Sequence, residues 1–166
     1  MTETMKHFKL RTDLTIKVGL KTLYRIEATK EITKFGVKVG DLGGYIEKEE
    51  NLSGDAWVSG NARVYGDAEV YGNARVYGNA RVSGNAWVSG DKIEKENDLV
   101  NITSNSGSYN ITITPNHIKI GCQYHSKTAW FNFTDNEIAK MDGDKAVIWW
   151  KTWKPILISI CDGLKQ

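Results

Sequence analysis

A six-residue repeat fills the middle of the chain and constrains its fold more than any other feature. From residue 52 to residue 91, an aliphatic residue recurs every six positions, a small residue follows it four places later, and a Gly-Asn or Gly-Asp pair lies between them. The aliphatic positions are Leu52, Val58, Val64, Val70, Val76, Val82 and Val88, and the small positions are Ala56, Ala62, Ala68, Ala74, Ala80 and Ala86. An amphipathic helix is excluded, because its apolar residues would recur about every 3.6 positions. The spacing therefore predicts a stacked repeat architecture.

Each repeat predicts one short strand followed by one corner. Side chains alternate between the two faces of a strand, so the Ala and the Val two places later share the inner face. The Arg, Trp or Glu between them points outward, as does the Ser or Tyr after the Val. The Gly-Asn or Gly-Asp pair forms the corner, because Gly adopts positive φ at little steric cost. Three repeats close a triangular coil, and the whole segment supplies about two and a third coils.

These repeats resemble the left-handed β-helix family of hexapeptide-repeat proteins, and the chain resembles more closely the bacteriophage and prophage proteins of that family. Besides the Gly-Asn-Ala-Arg-Val repeats, the segments that carry the closer resemblance are 23–26 (LYRI), 40–47 (GDLGGYIE), 117–122 (HIKIGC) and 149–155 (WWKTWKP). The resemblance implies a left-handed coil and a homotrimer, and most such proteins are of unknown function. The best-known hexapeptide proteins are trimeric acyltransferases, and automatic labels describe similar repeats as polymer-forming cytoskeletal proteins.

The sequence predicts a mainly β protein in three parts. Residues 1–50 form an N-terminal β cap, residues 51–91 form the short left-handed parallel β-helix, and residues 92–166 form an α+β segment that serves oligomerisation. The cap is expected because a bare strand edge at the first coil would invite aggregation. In the third part, the dipeptide at 115–116 predicts the turn of a β-hairpin.

Two helices are predicted after this hairpin. Thr134 and Glu137 have the spacing of a capping box, which opens a short helix that ends near Gly143. A second helix is predicted from about residue 145 to residue 161, and it is apolar on more than one face. Pro155 is expected to kink this helix or to start a new segment, since it removes a backbone hydrogen bond.

Charge and cysteine content exclude several classes of function. The chain has 22 basic and 20 acidic residues, so it lacks the strongly basic surface of a duplex nucleic-acid binder. No apolar run is long enough to cross a bilayer, and no membrane partner is expected. Two cysteines do not form a disulfide framework, which favours a reducing bacterial cytosol, or the cytosol of a phage-infected host.

The histidines and cysteines offer little support for catalysis or metal binding. None of His7, His117 and His125 lies in the repeats, whereas the acyltransferase hypothesis needs a histidine on or beside the coils. His117, Cys122 and His125, with Cys161, have residue types that bind zinc. However, an odd separation places His117 and Cys122 on opposite faces of a continuous strand. We predict no catalytic residues, no metal and no cofactor.

The outward positions of the coils carry the more informative candidates for binding. Residues three repeats apart stack on one another, which predicts the outward rows Trp57/Arg75, Arg63/Arg81 and Glu69/Trp87. Trp57 and Arg75 are suited to a cation–π contact. Arg63 and Arg81, flanked by Tyr65, would repel each other unless an anion such as a phosphate or nucleotide lay between them. The alternative is that these side chains vary freely at solvent-exposed positions.

We therefore predict a non-enzymatic, homotrimeric binding protein. Exposed aromatic residues are typical of interfaces. The residues predicted to serve oligomerisation are Trp149, Trp150, Trp153, Ile156 and Leu157. The phage resemblance suggests that the partner is a host protein, and that the chain inhibits or sequesters a component of a bacterial defence system in the manner of anti-CRISPR or other anti-defence proteins. Three alternatives stay open: a sponge for a small anionic nucleotide, a degenerate acyltransferase, and a phage structural or polymer-forming protein.

Overall fold

Three antiparallel strands lead the chain into the repeats. The computed structural model describes residues 6–104 and 108–165, so residues 1–5 of the predicted N-terminal cap and residues 105–107 and 166 of the predicted C-terminal segment lie outside the described residues. The leading strands are β1 (Phe8–Val18), β2 (Lys21–Ala28) and β3 (Leu42–Ile46). β3 then pairs in parallel with the second strand of the repeat segment, so the leading strands extend one sheet of the repeats.

The repeats form short parallel strands, as the sequence predicts. They are β4 (Trp57–Val58), β5 (Arg63–Val64), β6 (Glu69–Tyr71), β7 (Arg75–Val76), β8 (Arg81–Val82), β9 (Trp87–Ser89) and β10 (Lys92–Ile93). β4 pairs with β7, β5 with β8, and β6 with β9, so each strand pairs with the third strand after it. Three sheets result, with the orders β1-β2-β3-β5-β8, β4-β7-β10 and β6-β9. The predicted stacking of every third repeat is confirmed.

The inner positions of the repeats form a dry core. The Val and Ala residues of the repeats are at most 1% exposed, as expected from strand alternation. The corners depend on glycine, since the stacked backbones approach closely there. Gly66, for example, has φ of 73°, and a Cβ at this position would lie 3.1 Å from the carbonyl oxygen of Gly84 in the next coil.

The last repeat is one residue shorter than the others, and this changes what lies at its inner position. Three full repeats would pair Arg75 with Ile93, but Arg75 pairs with Lys92, one position earlier. The N–H of Trp57 donates to the carbonyl of Ala74, whereas the N–H of Arg75 donates to the carbonyl of Asp91. Asp91 therefore takes the place of a small residue and is only 1% exposed.

A second layered unit follows the repeats. It contains the antiparallel sheet β11 (Val100–Ile102), β12 (Ile111–Ile113), β13 (His117–Ile120) and β14 (Gln123–Ser126), followed by helices α1 (Lys127–Asn132) and α2 (Asp135–Gly163). The predicted hairpin is present as β12 and β13. The sheet and the helices share a hydrophobic core separate from that of the repeats. Within the described part of the chain, no helix is long and apolar enough to span a membrane.

Helix α2 is interrupted where the sequence predicts the end of a short helix. Thr134 and Glu137 form the predicted capping box, and the backbone leaves helical values at Asp142 and Gly143. Pro155 does not start a new segment, since the departures from helical φ/ψ lie at Asp142 and Gly143 and Pro155 lies within the second helical segment. The kink at Pro155 stays a prediction. Pro155 is exposed, so water can replace the hydrogen bond that the missing N–H would have made.

Candidate functional site: the outward rows of the repeats

The outward row that begins with Trp57 is covered by the N-terminal strands. Trp57 is only 2% exposed, so the prediction that it decorates an open surface is wrong. The ring of His7 lies 6.4 Å from that of Trp57, and the Nε2 atom of His7 lies 2.8 Å from the carbonyl oxygen of Ala56. Burial lowers the pKa of His7. Trp57 is covered because the start of β1 packs across this side of the first coil.

Arg75 is the next residue of the same row. It lies against two aromatic rings, and neither of them is the predicted partner, Trp57. Its guanidinium lies 5.7 Å from the centre of the Phe35 ring and 5.1 Å from that of Tyr77. The Nε atom of Arg75 is buried and has no hydrogen-bond partner. Phe35 belongs to a single 3-10 turn that is fixed to the coils by an ion pair of 3.0 Å between Lys34 and Asp55. Trp57 is therefore part of the structural core, and the half-buried Arg75 packs against aromatic rings rather than lying open to a partner.

On the other side of the coils, the C-terminal sheet packs against Trp87, whereas Glu69 of the same row is exposed. The ring of Trp87 lies 4.2 Å from Tyr71 and 4.8 Å from Tyr124, and Lys119 Nζ lies 4.7 Å from the centre of a Trp87 ring. The backbone N–H of Trp87 also donates to Thr112 Oγ1 at 3.2 Å. Trp87 is thus a contact between the two units of the fold, which limits its access to a partner.

Asp91 fastens the C-terminal hairpin to the last coil. Its carboxylate accepts hydrogen bonds from Thr114 Oγ1, from Asn116 Nδ2 at 2.8 Å and from His117 Nδ1 at 2.9 Å. Burial raises the pKa of Asp91, but these hydrogen bonds outweigh burial and hold it below its ordinary value. The imidazole of His117 also stacks on Tyr124, with ring centres 4.8 Å apart.

The structure does not bring the candidate metal ligands together. His125 packs against Trp130 and Phe133, Cys122 is exposed, and Cys161 is buried. Across residues 6–104 and 108–165, no three His, Cys, Asp or Glu side chains are grouped closely enough to hold a metal ion.

The row Arg63/Arg81 is the start of a longer outward row. Arg63 pairs with Arg81 on one side and with Tyr45 on the other, and Tyr45 pairs in turn with Arg25. Side chains directly opposite each other on paired strands lie on the same face of a sheet. We call Arg25, Tyr45, Arg63 and Arg81 the basic row. Arg25 Nε donates to the carbonyl of Gly43 at 3.0 Å, and its guanidinium lies 5.4 Å from the centre of the Tyr45 ring.

The basic row is largely free of acidic neighbours. Arg81 has an ion pair with Glu96 at 3.6 Å, and its side chain is 48% exposed. Among the ion pairs of the described residues, none includes Arg25 or Arg63. A depression of about 320 Å³ lies beside the row and is lined in part by Tyr65 and Arg81. The row is therefore a positively charged strip, half-buried at Arg25 and Arg63 and exposed at Arg81, with aromatic rings beside it.

Arg25 and Tyr45 are members of the basic row that the sequence prediction missed. Tyr45 lies three repeat lengths before Arg63, so the repeat period itself contained this signal. Arg25 carried no such signal, since it belongs to an antiparallel strand whose register depends on the turn between β2 and β3.

The residues predicted to serve oligomerisation divide into two groups. Trp150 and Leu157 are at most 3% exposed, because they fill the core of the C-terminal unit, so their assignment to an interface is wrong. Trp149 and Trp153 are half-buried and stack on each other with ring centres 5.3 Å apart. Ile156 is 43% exposed, and Ile148, which the prediction omitted, is 70% exposed. We call the surface formed by Ile148, Trp149, Trp153 and Ile156 the open apolar side of α2.

A comparison with protein families supports the reading of the repeats. The family description YdcK Beta solenoid repeat matches residues 56–72, 68–82 and 74–90. The matches lie within the segment that forms the stacked parallel strands, so this part of the chain is a β-solenoid. A comparison with curated proteins finds no match.

Proposed function

We propose that this chain is a non-enzymatic binding protein that recognises an anionic surface of a protein partner through the basic row. The observation that carries the proposal is that, within residues 6–104 and 108–165, the flanking segments bury the outward rows to different extents. The N-terminal strands bury Trp57 and the C-terminal sheet packs against Trp87, whereas Arg81 is exposed and the half-buried Arg63 beside it is in none of the ion pairs of the described residues.

The chemistry of the basic row favours carboxylate or phosphate groups as ligands. Arg63 and Arg81 are stacked on neighbouring strands, about 4.8 Å apart along the sheet. Like charges placed directly opposite each other destabilise a sheet, and a bound anion relieves that repulsion. A guanidinium offers two parallel N–H donors to a carboxylate, so the row is suited to acidic side chains of a partner.

The phage resemblance supplies the biological setting of the proposal. In that setting the chain acts in the cytosol of the host bacterium, where it inhibits or sequesters a component of a defence system as anti-CRISPR proteins do. The proposal includes a left-handed solenoid of about two and a third coils and a homotrimer, as the hexapeptide-repeat resemblance implies. The open apolar side of α2 supports self-association, since exposed apolar patches mark interaction sites.

A pull-down from bacterial lysate tests the proposed function. The bait is the full chain, and the test variant combines Arg63→Glu with Arg81→Glu. The control combines Lys38→Glu with Lys140→Glu, which makes the same change in net charge at exposed lysines outside the row. We expect a defined host protein to be captured by the wild type and by the control but lost with the test variant. Equal capture by both variants, or no capture by the wild type, contradicts the proposal.

A second candidate function is the sequestration of a small anionic nucleotide. The depression lined by Tyr65, Arg81 and Glu96 favours this candidate, because the tyrosine ring can stack on a base while Arg81, released from Glu96, binds a phosphate. Cyclic nucleotides should then raise the melting temperature of the wild type but not that of the Arg63→Glu, Arg81→Glu variant. Absence of a shift with any nucleotide rules out this candidate.

The remaining alternatives have less support from the contacts. A degenerate acyltransferase would bind coenzyme A through His117 or His125, but the Nδ1 atom of His117 is engaged with Asp91 at the junction of the two units. A phage structural or polymer-forming protein would give filaments rather than one discrete oligomer in light scattering.

A further inference from the structure

A cavity lies in the C-terminal unit, away from the basic row. It occupies about 220 Å³ between the antiparallel sheet and α2. The side chains that define it are Tyr109, Trp130, Met141, Ala146, Trp149 and Trp150. None of these residues belongs to the basic row, and only Trp149 is shared with the open apolar side of α2, so a role for the cavity does not depend on the basic row.

The break in α2 creates the space. Gly143 has φ of 71° and ψ of −168°, values that separate α2 into two segments. Met141 borders the cavity from the first segment, and Ala146 borders it from the second. Gly143 accepts this backbone conformation, which L residues rarely adopt. The small side chain of Ala146 leaves the volume beside it unfilled.

The walls of the cavity are flat, aromatic and held in place. The rings of Trp130 and Trp150 lie 5.3 Å apart, and the ring of Tyr109 meets that of Trp149 edge-on at 5.0 Å. The indole N–H of Trp130 donates to the carbonyl of Ile118 at 2.7 Å, and that of Trp149 donates to Ser108 Oγ at 2.7 Å. Because both N–H groups are already used, these two indoles offer a ligand their apolar surfaces.

Asp142 supplies a hydrogen-bond acceptor at the mouth of the cavity, which the amide of Gln123 also lines. Oδ2 of Asp142 accepts from the Tyr109 hydroxyl at 2.7 Å and lies 3.0 Å from Lys145 Nζ. Within the described residues, no such partner is found for Oδ1. The hydrogen bond from Tyr109 lowers the pKa of Asp142, so the group is an ionised carboxylate near neutral pH. A ligand with an N–H or O–H group can therefore donate to Oδ1.

We infer that this cavity binds a small, flat aromatic molecule that carries a hydrogen-bond donor, of about the size of indole. Its volume sets the size, since a dry cavity of about 150 Å³ lined by apolar side chains binds benzene in another protein. Stacking against the tryptophan and tyrosine rings selects an aromatic body. Asp142 selects a donor at the edge of that body. The exposed thiol of Cys122, which also borders the cavity, reports on its occupancy.

Indole and 1-methylindole are matched probes for this site, because only indole has an N–H donor. The full chain is titrated with each by calorimetry, and alkylation of Cys122 by iodoacetamide is followed by mass spectrometry. We expect indole to bind at least about tenfold more tightly than 1-methylindole and to slow alkylation of Cys122 at least about fivefold. Cys161 is buried and serves as the internal control for global unfolding. If millimolar indole neither binds nor protects Cys122, the inference is wrong.

Two substitutions locate the binding site. Ala146→Leu fills the cavity and should weaken indole binding more than about tenfold, whereas Ala139→Leu makes the same change on α2 outside the cavity. Asp142→Ala should remove the preference for indole over 1-methylindole. Unchanged indole affinity in the Ala146→Leu variant contradicts the assignment. If that variant fails to fold, the Asp142→Ala comparison still decides the question.

Discussion

Asp91 and His117 join the two units of this protein through a hydrogen bond of 2.9 Å between a buried carboxylate and Nδ1 of the imidazole. Because the carboxylate is ionised, Nδ1 carries the proton and donates it. Thr114 and Asn116 donate to the same carboxylate, so the turn of the C-terminal hairpin closes over the end of the solenoid. The junction thus depends on one charged group at a position where the other coils have alanine.

Asp91→Asn should therefore destabilise the protein strongly. The substitution keeps the size of the side chain but removes its charge and turns an amide N–H toward groups that need an acceptor. Loss of one partner in a buried charged network costs about 3 kcal/mol. Urea unfolding measures this change in the free energy of unfolding, and hydrogen exchange should show faster exchange in residues 114–117.

Asp67→Asn is the matched control for Asp91→Asn. Asp67 also follows a repeat glycine and forms an ion pair with Lys48, but its side chain is 85% exposed. An exposed ion pair contributes little to stability, because solvent screens it. If the two substitutions have equal effects on unfolding, the junction does not depend on the buried carboxylate.

The repeat segment could be predicted from the sequence because its period specifies both neighbours and faces. Val58 and Val76, which are three repeats apart, pair directly, and both are fully buried. The flanks follow no such period. Helix α1 was not predicted, since its six residues, Lys127–Asn132, are too few to show a helical pattern of apolar residues.

The candidate site was predicted only in part, because exposure depends on long-range packing. Trp57 and Trp87 occupy outward positions, as the alternation requires, yet His7 and Tyr124, from distant segments, pack near them. No local pattern indicates which outward row the flanks will cover. The same reasoning applies to Trp150, whose position on α2 did not reveal that Trp130 would pack against it.

Acid should destabilise the protein in part through His7. Burial holds the pKa of His7 below its ordinary value of 6.5 in the folded state, so the unfolded chain binds the proton more readily. The contribution of neutral His7 to stability is complete above pH 6.5 and is lost as the pH falls below it. His7→Gln keeps a side-chain N–H for the carbonyl of Ala56 but does not titrate.

The measurement for His7 is the melting temperature between pH 7.5 and pH 5. The wild type should lose stability over this range more steeply than His7→Gln. Burial also lowers the pKa of His125, so a residual slope is expected in the variant. Parallel curves for the two proteins would show that His7 does not contribute.

Glycine substitutions can separate backbone strain from the close approach of stacked corners. Gly66 and Gly90 have nearly equal φ values of 73° and 71°. A Cβ on Gly66 would lie 3.1 Å from the carbonyl oxygen of Gly84, whereas a Cβ on Gly90 meets no atom within 4 Å. Both alanine variants should lose about 1–2 kcal/mol to the left-handed conformation. Gly66→Ala should lose more, as measured by urea unfolding, and equal losses would argue against tight stacking of the corners.

We expect self-association to depend on the open apolar side of α2. Ile148 and Ile156 lie about two helical turns apart and are 70% and 43% exposed. Charged side chains at both positions would have to lose their hydration in an interface, so Ile148→Glu with Ile156→Glu should give a monomer. The control, Leu20→Glu with Val39→Glu, places the same charges on other exposed apolar residues, at 103% and 67% exposure.

Light scattering should find a trimer for the wild type and the control, and circular dichroism should find the helices retained in the monomer. A trimer that persists in the α2 variant would exclude this surface, and a monomeric wild type would exclude the trimer itself.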